Sequence, residues 1–164
     1  MRKLSGSDFD AIKPFFDAAA EAAQHATCRK ARCGAVVVKD GRIVASGYNS
    51  PPLEKEANRM CDGEYPAGRK PAYCRTCCVH AEWRAILNAC KQGPAGIEGS
   101  ILYFMRIDEN GDFTEAGEPF CTVCSRLALE AGITIFALWN ADGAYLYDAE
   151  EYNRKSYEFF EQPA

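Results

Sequence analysis

Nothing in the 164 residues approaches the roughly 18 to 20 consecutive apolar residues that a membrane-spanning helix needs. A helical integral membrane protein is therefore excluded. The opening residues, Met1 to Asp8, have no apolar core of the kind a secretory signal carries. Positive charge is not in excess either: the formal net charge is -4, which speaks against a protein whose main task is to grip a polyanion such as duplex DNA. No repeat, low-complexity tract or linker interrupts the chain. With 48% hydrophobic and 26% charged residues it is not a disordered chain, and one domain with a real core is expected over residues 1–164.

What the chain has in quantity is cysteine. Nine cysteines and no secretory leader point to the cytoplasm, where clustered thiols more often hold metal than form disulfides.

The remaining pattern alternates between helix and strand. Ser7 to Ala26 spaces Phe9, Ile12, Phe15, Phe16, Ala19, Ala22 and Ala23 three and four apart, which predicts a helix with one buried stripe. Ser7 with Asp10 makes a capping box for it, or Pro14 starts it at the first turn. His25 reads as an ordinary residue of the helix end. Gly34 to Val38 and Ile43 to Tyr48, joined through Asp40-Gly41, predict an antiparallel hairpin. Residues 49–78 contain Pro51, Pro52, Pro66 and Pro71 with no sustained period, a loop long enough to need a pin. Val79 to Lys91 is helical, with Trp83, Ile86, Leu87 and Cys90 as its apolar face and Gly93-Pro94 as its stop. Ser100 to Met105 and Thr134 to Trp139 are apolar runs without alternation, strands buried on both faces. Asn110-Gly111 marks a turn inside a polar stretch, and Cys121 to Ala131 is a helix stopped by Gly132. Tyr145 to Tyr147 makes a short last strand, and Ala149 to Phe160 an amphipathic closing helix with Tyr152, Tyr157, Phe159 and Phe160. This order predicts an α/β fold of three layers, α-β-α, around a mixed sheet.

Two clusters carry the chemistry. The first, Tyr73 to Glu82, holds Cys74, Cys77, Cys78, His80 and Glu82; the second is Pro119-Phe120-Cys121-Thr122-Val123-Cys124. One imidazole with two cysteines in C-x-x-C spacing supplies three zinc ligands and leaves a fourth position for water, the pattern of a catalytic site. Cys121 and Cys124 share one face if they open a helix, and a helix N-terminus favours thiolates. Glu82 stands where it could handle the protons of a water acidified by zinc. A zinc protein that only holds a partner has no need of that carboxylate. A redox protein built on Cys74 and Cys77 is a third reading.

His80-Ala81-Glu82, with Pro119 and Cys121-Thr122-Val123-Cys124, resembles the zinc-dependent cytidine and deoxycytidylate deaminase superfamily, whose signature is H-A-E followed by P-C-x-x-C. Cys33 to Val38 and Gly47-Tyr48-Asn49 look like that family's first hairpin, so the resemblance covers most of residues 10–140. The cysteine-bearing insertion before His80 looks most like the deoxycytidylate branch. The resemblance implies a cytidine deaminase-like domain with catalytic zinc on His80, Cys121 and Cys124 and with Glu82 as acid and base. It implies hydrolytic loss of ammonia from C4 of a cytosine-type nucleotide or nucleoside, with a dCMP-like substrate favoured. Asn49 would bond the sugar hydroxyl, the backbone of Ala81 would hold the base, and the protein would be a homo-oligomer. A nucleobase or tRNA deaminase of the same superfamily, or a non-catalytic zinc-binding relative, is the alternative.

Two residues depart from the family's pattern. Phe120 separates Pro119 from Cys121, and Arg84 stands where the deoxycytidylate branch usually has asparagine. Tyr48 and Phe120 are either stacking partners for a flat base or plain packing. Cys61, Cys74, Cys77 and Cys78 are candidates for a second zinc that pins the long loop, with Cys28 or Cys33 as further ligands. The alternative is a set of buried free thiols, which is how Cys90 reads. Lys55, Arg59, Arg69, Lys70 and Arg75 are candidate phosphate donors. They are interleaved with Glu54, Glu56, Asp62 and Glu64, which suits a solvated loop face equally.

Overall fold

The computed structural model describes residues 1–61, 77–93 and 96–161. Among the described residues, seven strands and four helices follow one another as β1 (Arg2–Leu4), α1 (Ser7–Gln24), β2 (Arg32–Lys39), β3 (Arg42–Tyr48), α2 (Ala81–Cys90), β4 (Ile101–Ile107), β5 (Phe113–Thr114), α3 (Thr122–Glu130), β6 (Ile135–Asn140), β7 (Gly143–Asp148) and α4 (Ala149–Glu161). The strands form one sheet in the order β1-β7-β6-β4-β2-β3, with β5 added to β4. Among the described strands only the β4–β6 pair is parallel, as a helical crossover between them requires. The expected α/β architecture with a mixed sheet is what forms. β1 and β5 were not expected, because two or three residues are too few for an alternating pattern.

Side-chain alternation sorts the core into two. Val36, Val38, Tyr103, Met105, Ala137 and Leu146 face α1, against Phe16, Ala19 and Ala23. Their neighbours Ala35, Val37, Leu102, Phe104, Phe136 and Leu138 lie on the opposite face with Ala81, Ala85, Ala128 and Tyr152 of α2, α3 and α4. This is the three-layer arrangement.

Two glycines bring helices onto the sheet. A Cβ on Gly34 would lie 1.9 Å from the carbonyl oxygen of Ala19, and one on Gly47 would lie 2.3 Å from the amide nitrogen of Ala85 and 2.5 Å from the oxygen of Ala81. Both α1 and α2 therefore touch the sheet backbone to backbone.

Three local expectations need correction. The capping box does not form: the N-cap of α1 is Gly6, without a side-chain bond, and Ser7 lies inside the helix. Pro14 also lies inside it rather than at its first turn. On α2 the buried face is Ala81, Glu82, Ala85, Ile86 and Ala89, while Leu87 is 48% exposed and Cys90 is exposed. Periodicity identified the larger apolar residues, but close approach to β3 selects the small ones.

The long loop leaves β3 through Asn49, turns at Pro52–Glu54 with left-handed backbone at Leu53 and Glu54, and makes a short 3₁₀ turn at Glu56–Asn58. Its ends are paired. The amide of Val79 donates to the carbonyl of Ser50 at 2.9 Å and that of Ser50 returns to Val79 at 3.4 Å. Residue 79 is thereby held beside residue 50, immediately before His80.

Gly47→Ala is expected to destabilise the fold by about 2 kcal/mol or more, because its new methyl meets backbone that cannot rotate away. The midpoint of urea unfolding measures this, and Gly34→Ala should behave alike.

Candidate active site

The three side chains that converge come from two helix starts. His80 is the N-cap of α2, and Cys121 is the N-cap of α3, its sulfur accepting the amide of Cys124 at 3.3 Å. One turn later Cys124 points the same way. His80 Nδ1 lies 3.2 Å from Cys124 Sγ and 3.5 Å from Cys121 Sγ, and the three ligand atoms lie within 4.8 Å of one another. Tetrahedral zinc with ordinary bond lengths would separate an imidazole nitrogen from a thiolate by about 3.6 Å. The donor set and its spacing both fit zinc.

Burial and mutual hydrogen bonds set the protonation of this group. Burial alone would lower the His80 imidazole, but its bond to Cys121 and the charge of Glu82 outweigh this and raise it to about 9. The Cys121 thiol is held down at about 4 by the hydrogen bond from Cys124, with His80 adding to it against the effect of burial. Burial pushes Cys124 well above the usual thiol range, and its bonds to Cys121 and Glu82 act in the same direction. Glu82 is 6% exposed; burial raises its carboxyl, and the charge of His80 opposes that rise. The N-terminal ends of α2 and α3 both point at this cluster, so their dipoles favour its negative charges.

The remaining expected residues surround this centre. Ala81 is fully buried in the first turn of α2, where helix geometry leaves the amide without an intrahelical acceptor. Asn49 is buried, and its side chain is largely engaged. Its Oδ1 accepts from the amide of Cys33 at 2.9 Å and its Nδ2 donates to the oxygen of Ala31 at 2.8 Å. One amide hydrogen is left over. His25 caps the end of α1 and its ring lies 5.7 Å from that of Tyr48. Tyr48 has the Arg84 guanidinium over its ring at 5.6 Å. Phe120 meets Phe159 edge-on at 5.1 Å.

One residue absent from the sequence-based site supports it, and Arg84 lies beside it. Tyr152 of α4 is buried and stacked on Phe136 with ring centroids 3.9 Å apart. Burial drives its hydroxyl well above the usual phenol range, the charges of Glu82 and both cysteines add to this, and the backbone amide of Phe120 donates to its oxygen. Tyr152 thus holds the turn that leads into Cys121. Arg84 binds the loop after β3. Nothing in the local sequence separates Tyr152 from the other rings of an amphipathic helix.

A second group of thiols gathers at the loop. The sulfurs of Cys61 and Cys77 are in bonding contact, with Cα atoms 5.8 Å apart. Cys78 Sγ lies 4.0 Å from Cys77 Sγ, and Cys78 also bonds to Cys28, a hydrogen bond that brings Cys28 down to about 5. The Arg59 side chain reaches the same place: it bonds to Cys78, carries its charge close to Cys28, and is anchored by Glu56 at 2.6 Å and by the oxygen of Thr27 at 2.7 Å. Cys33 is elsewhere, on β2, where burial pushes it up to about 12. Cys74, Arg69, Lys70 and Arg75 lie outside the described residues.

One imidazole and two thiols around an open point, beside a buried carboxylate on a mixed α/β sheet, make up the zinc site of a nucleobase deaminase fold. The chain belongs to the family described as the cytidine and deoxycytidylate deaminase zinc-binding region, whose model matches residues 10–138. It is 32% identical over 136 residues to the deoxycytidylate deaminase of Mycobacterium phage D29, spanning 79% of this chain and 93% of that one. The deoxycytidylate deaminase of Schizosaccharomyces pombe is 35% identical over 94 residues, 54% of this chain and 28% of its own. Among solved structures, the dCMP deaminase of cyanophage S-TIM5 with dCMP and dUMP superposes with a TM-score of 0.56 at 24% identity, over 77% of this chain and 79% of that one. The cytidine deaminase of Burkholderia pseudomallei gives 0.54 at 18% identity, over 85% and 94%. These last two likenesses are of fold.

Zinc binds neutral imidazole and thiolate, so it must displace the proton that His80 carries below a pH of about 9 and the proton on Cys124. Cys121 is already a thiolate at neutral pH. Zinc binding at pH 7 is therefore expected to release about two protons, and affinity to fall as pH falls. Calorimetry in buffers of different ionisation enthalpy, with a competing chelator, measures both.

Proposed function

We propose that this protein is a zinc-dependent hydrolase that deaminates dCMP or a closely similar cytosine nucleotide to the uracil form, with release of ammonia. The observation that carries the reading is the buried Glu82 carboxylate beside the convergent His80, Cys121 and Cys124. The 32% identity with a deoxycytidylate deaminase over most of both chains supports the choice of substrate.

His80, Cys121 and Cys124 would hold the zinc ion, which would supply an acidified water as the nucleophile for C4 of the ring. The chain's own residues do the rest. Glu82 would take one proton from the attacking water and pass it to N3, then take the other from the hydroxyl formed on C4 and pass it to the amine, which leaves as ammonia. Burial raises the Glu82 carboxyl, which brings its affinity for a proton closer to what a shuttle at neutral pH requires. The amide of Ala81, left free by helix geometry, donates to the base. The remaining hydrogen of Asn49 Nδ2 reaches the sugar. The loop closed by the Ser50–Val79 pair keeps these last two groups in register.

A second zinc is part of the proposal, held by Cys28, Cys61, Cys77 and Cys78. Cys61 touches Cys77, Cys77 lies 4.0 Å from Cys78, and Cys78 bonds to Cys28, a run of neighbouring sulfurs from three stretches of chain with the Arg59 charge beside it. Of the expected candidates, Cys74 lies outside the described residues, and Cys28 rather than Cys33 is the further ligand. A cytoplasmic homo-oligomer is the setting the family resemblance suggests, and a reducing compartment would keep all these ligands as thiols.

Glu82→Gln is expected to keep its zinc and to lose about 10²–10⁴-fold in ammonia release from dCMP. An active Glu82→Gln protein would refute the shuttle. Elemental analysis should find two zinc ions per chain in the wild type and one in Cys78→Ser. One zinc in the wild type, with two thiols missing from a titration under denaturing conditions, would instead make Cys61–Cys77 a disulfide.

A further inference from the structure

The position two residues past Glu82 holds a side chain that the site described so far does not use. Arg84 is only 14% exposed, yet it points away from the metal centre toward the loop after β3. Its Nε donates to the oxygen of Tyr48 at 3.0 Å and its Nη1 to Glu54 Oε1 at 3.2 Å. Its Nη2 donates to Ser50 Oγ at 2.7 Å and to the oxygen of Pro51 at 3.4 Å. The guanidinium also lies over the Tyr48 ring, and the Tyr48 hydroxyl bonds to Glu54 in turn. Four acceptors spread over residues 48–54 are thereby gathered by one planar cation, an arrangement that suits guanidinium and that an ammonium cannot span.

The segment so held is strained. Leu53 and Glu54 adopt φ of 57° and 58°, a left-handed conformation that non-glycine residues seldom take singly and that persists only where the surroundings enforce it. Leu53 is largely exposed, so packing of its own side chain does not enforce it. Hydrogen bonds hold it instead: the Glu54 amide to the Pro51 oxygen at 2.9 Å, Asn58 Nδ2 to the Pro52 oxygen at 2.8 Å, and Arg84 to Glu54 Oε1 and the Pro51 oxygen. Within this segment lies Asn49, and Ser50 pairs with Val79 immediately before His80. Arg84 therefore ties the loop that carries Asn49 to the helix that carries Glu82, and its bonding capacity is directed inward, not toward a phosphate.

We propose that Arg84 is a positioning residue for substrate, setting the loop Tyr48–Glu54 against helix α2 so that nucleotide binding, more than the chemical step, depends on it. This rests on the deaminase reading above. The test compares Arg84→Gln, Arg84→Lys and wild type, all loaded with zinc, in steady-state ammonia release from dCMP and in hydrogen exchange at the amides of Ser50 and Val79. With several charged hydrogen bonds lost, Arg84→Gln is expected to raise KM about tenfold or more, with kcat within about threefold and zinc content unchanged. Exchange at Ser50 and Val79 should quicken. Arg84→Lys, which keeps the charge beside Glu54 without the fork, should recover only part of the KM. An unchanged KM in Arg84→Gln would overturn the proposal, as would a loss confined to kcat or full recovery by lysine. If zinc-loaded wild type releases no ammonia from dCMP, the functional reading fails. The loop tie is then judged on exchange alone, and unchanged exchange in Arg84→Gln overturns it.

Discussion

The rest of the site depends on how closely α2 lies on the sheet. Ala81, Ala85 and Ala89 present only methyl groups, and Gly47 of β3 has no side chain in the space that the backbone of Ala81 and Ala85 occupies. A helix seated this low puts its first turn below the surface, and Glu82 and His80 go down with it. Packed on leucines, the same helix would stand further out, and a carboxylate at position 82 would be solvated. Its carboxyl would then lose the upward shift that burial gives it. The outward positions of Leu87 and Cys90 follow from the same choice of small residues for the contact face.

Burying a carboxylate, two thiols and an imidazole together would be costly without compensation. The structure supplies it in two ways. Hydrogen bonds link Cys124 to Cys121 and Glu82, and His80 to Cys121, so that no ionised group stands alone. The starts of two helices, capped by His80 and Cys121, contribute partial positive charge. What remains is a surplus of negative charge when both cysteines and Glu82 are ionised, which is the condition under which a divalent cation is retained.

Around this centre the chain is secured at three points. Tyr152 reaches in from α4 to accept the amide of Phe120 and so fixes the entry to α3. Arg84 ties residues 48–54 to α2. The thiols of Cys28, Cys61, Cys77 and Cys78, with Arg59 against them, gather the end of α1's following turn and both approaches to the long loop. The Phe120 insertion between Pro119 and Cys121 is accommodated by its contact with Phe159, without change to the spacing of the two cysteines.

The amino-acid sequence by itself determined the ligand types, their spacing and the order of the main helices and strands, because each of these is written within a few consecutive residues. His80-Ala81-Glu82 and Cys121 to Cys124 are legible since capping, helical spacing and metal ligation are local. The edge strands β1 and β5 were illegible because they are shorter than any period, and the true face of α2 because apolar size pointed to Leu87 and Cys90 when contact favoured alanine. Only the tertiary structure decided that Cys28 joins the loop thiols, that Tyr152 supports the metal centre, that most of Asn49 is engaged by Ala31 and Cys33, and that Arg84 faces a strained loop. Each of those facts joins residues from separate elements. Their partners are set by how helices seat on a sheet, a property of packing that no stretch of sequence contains.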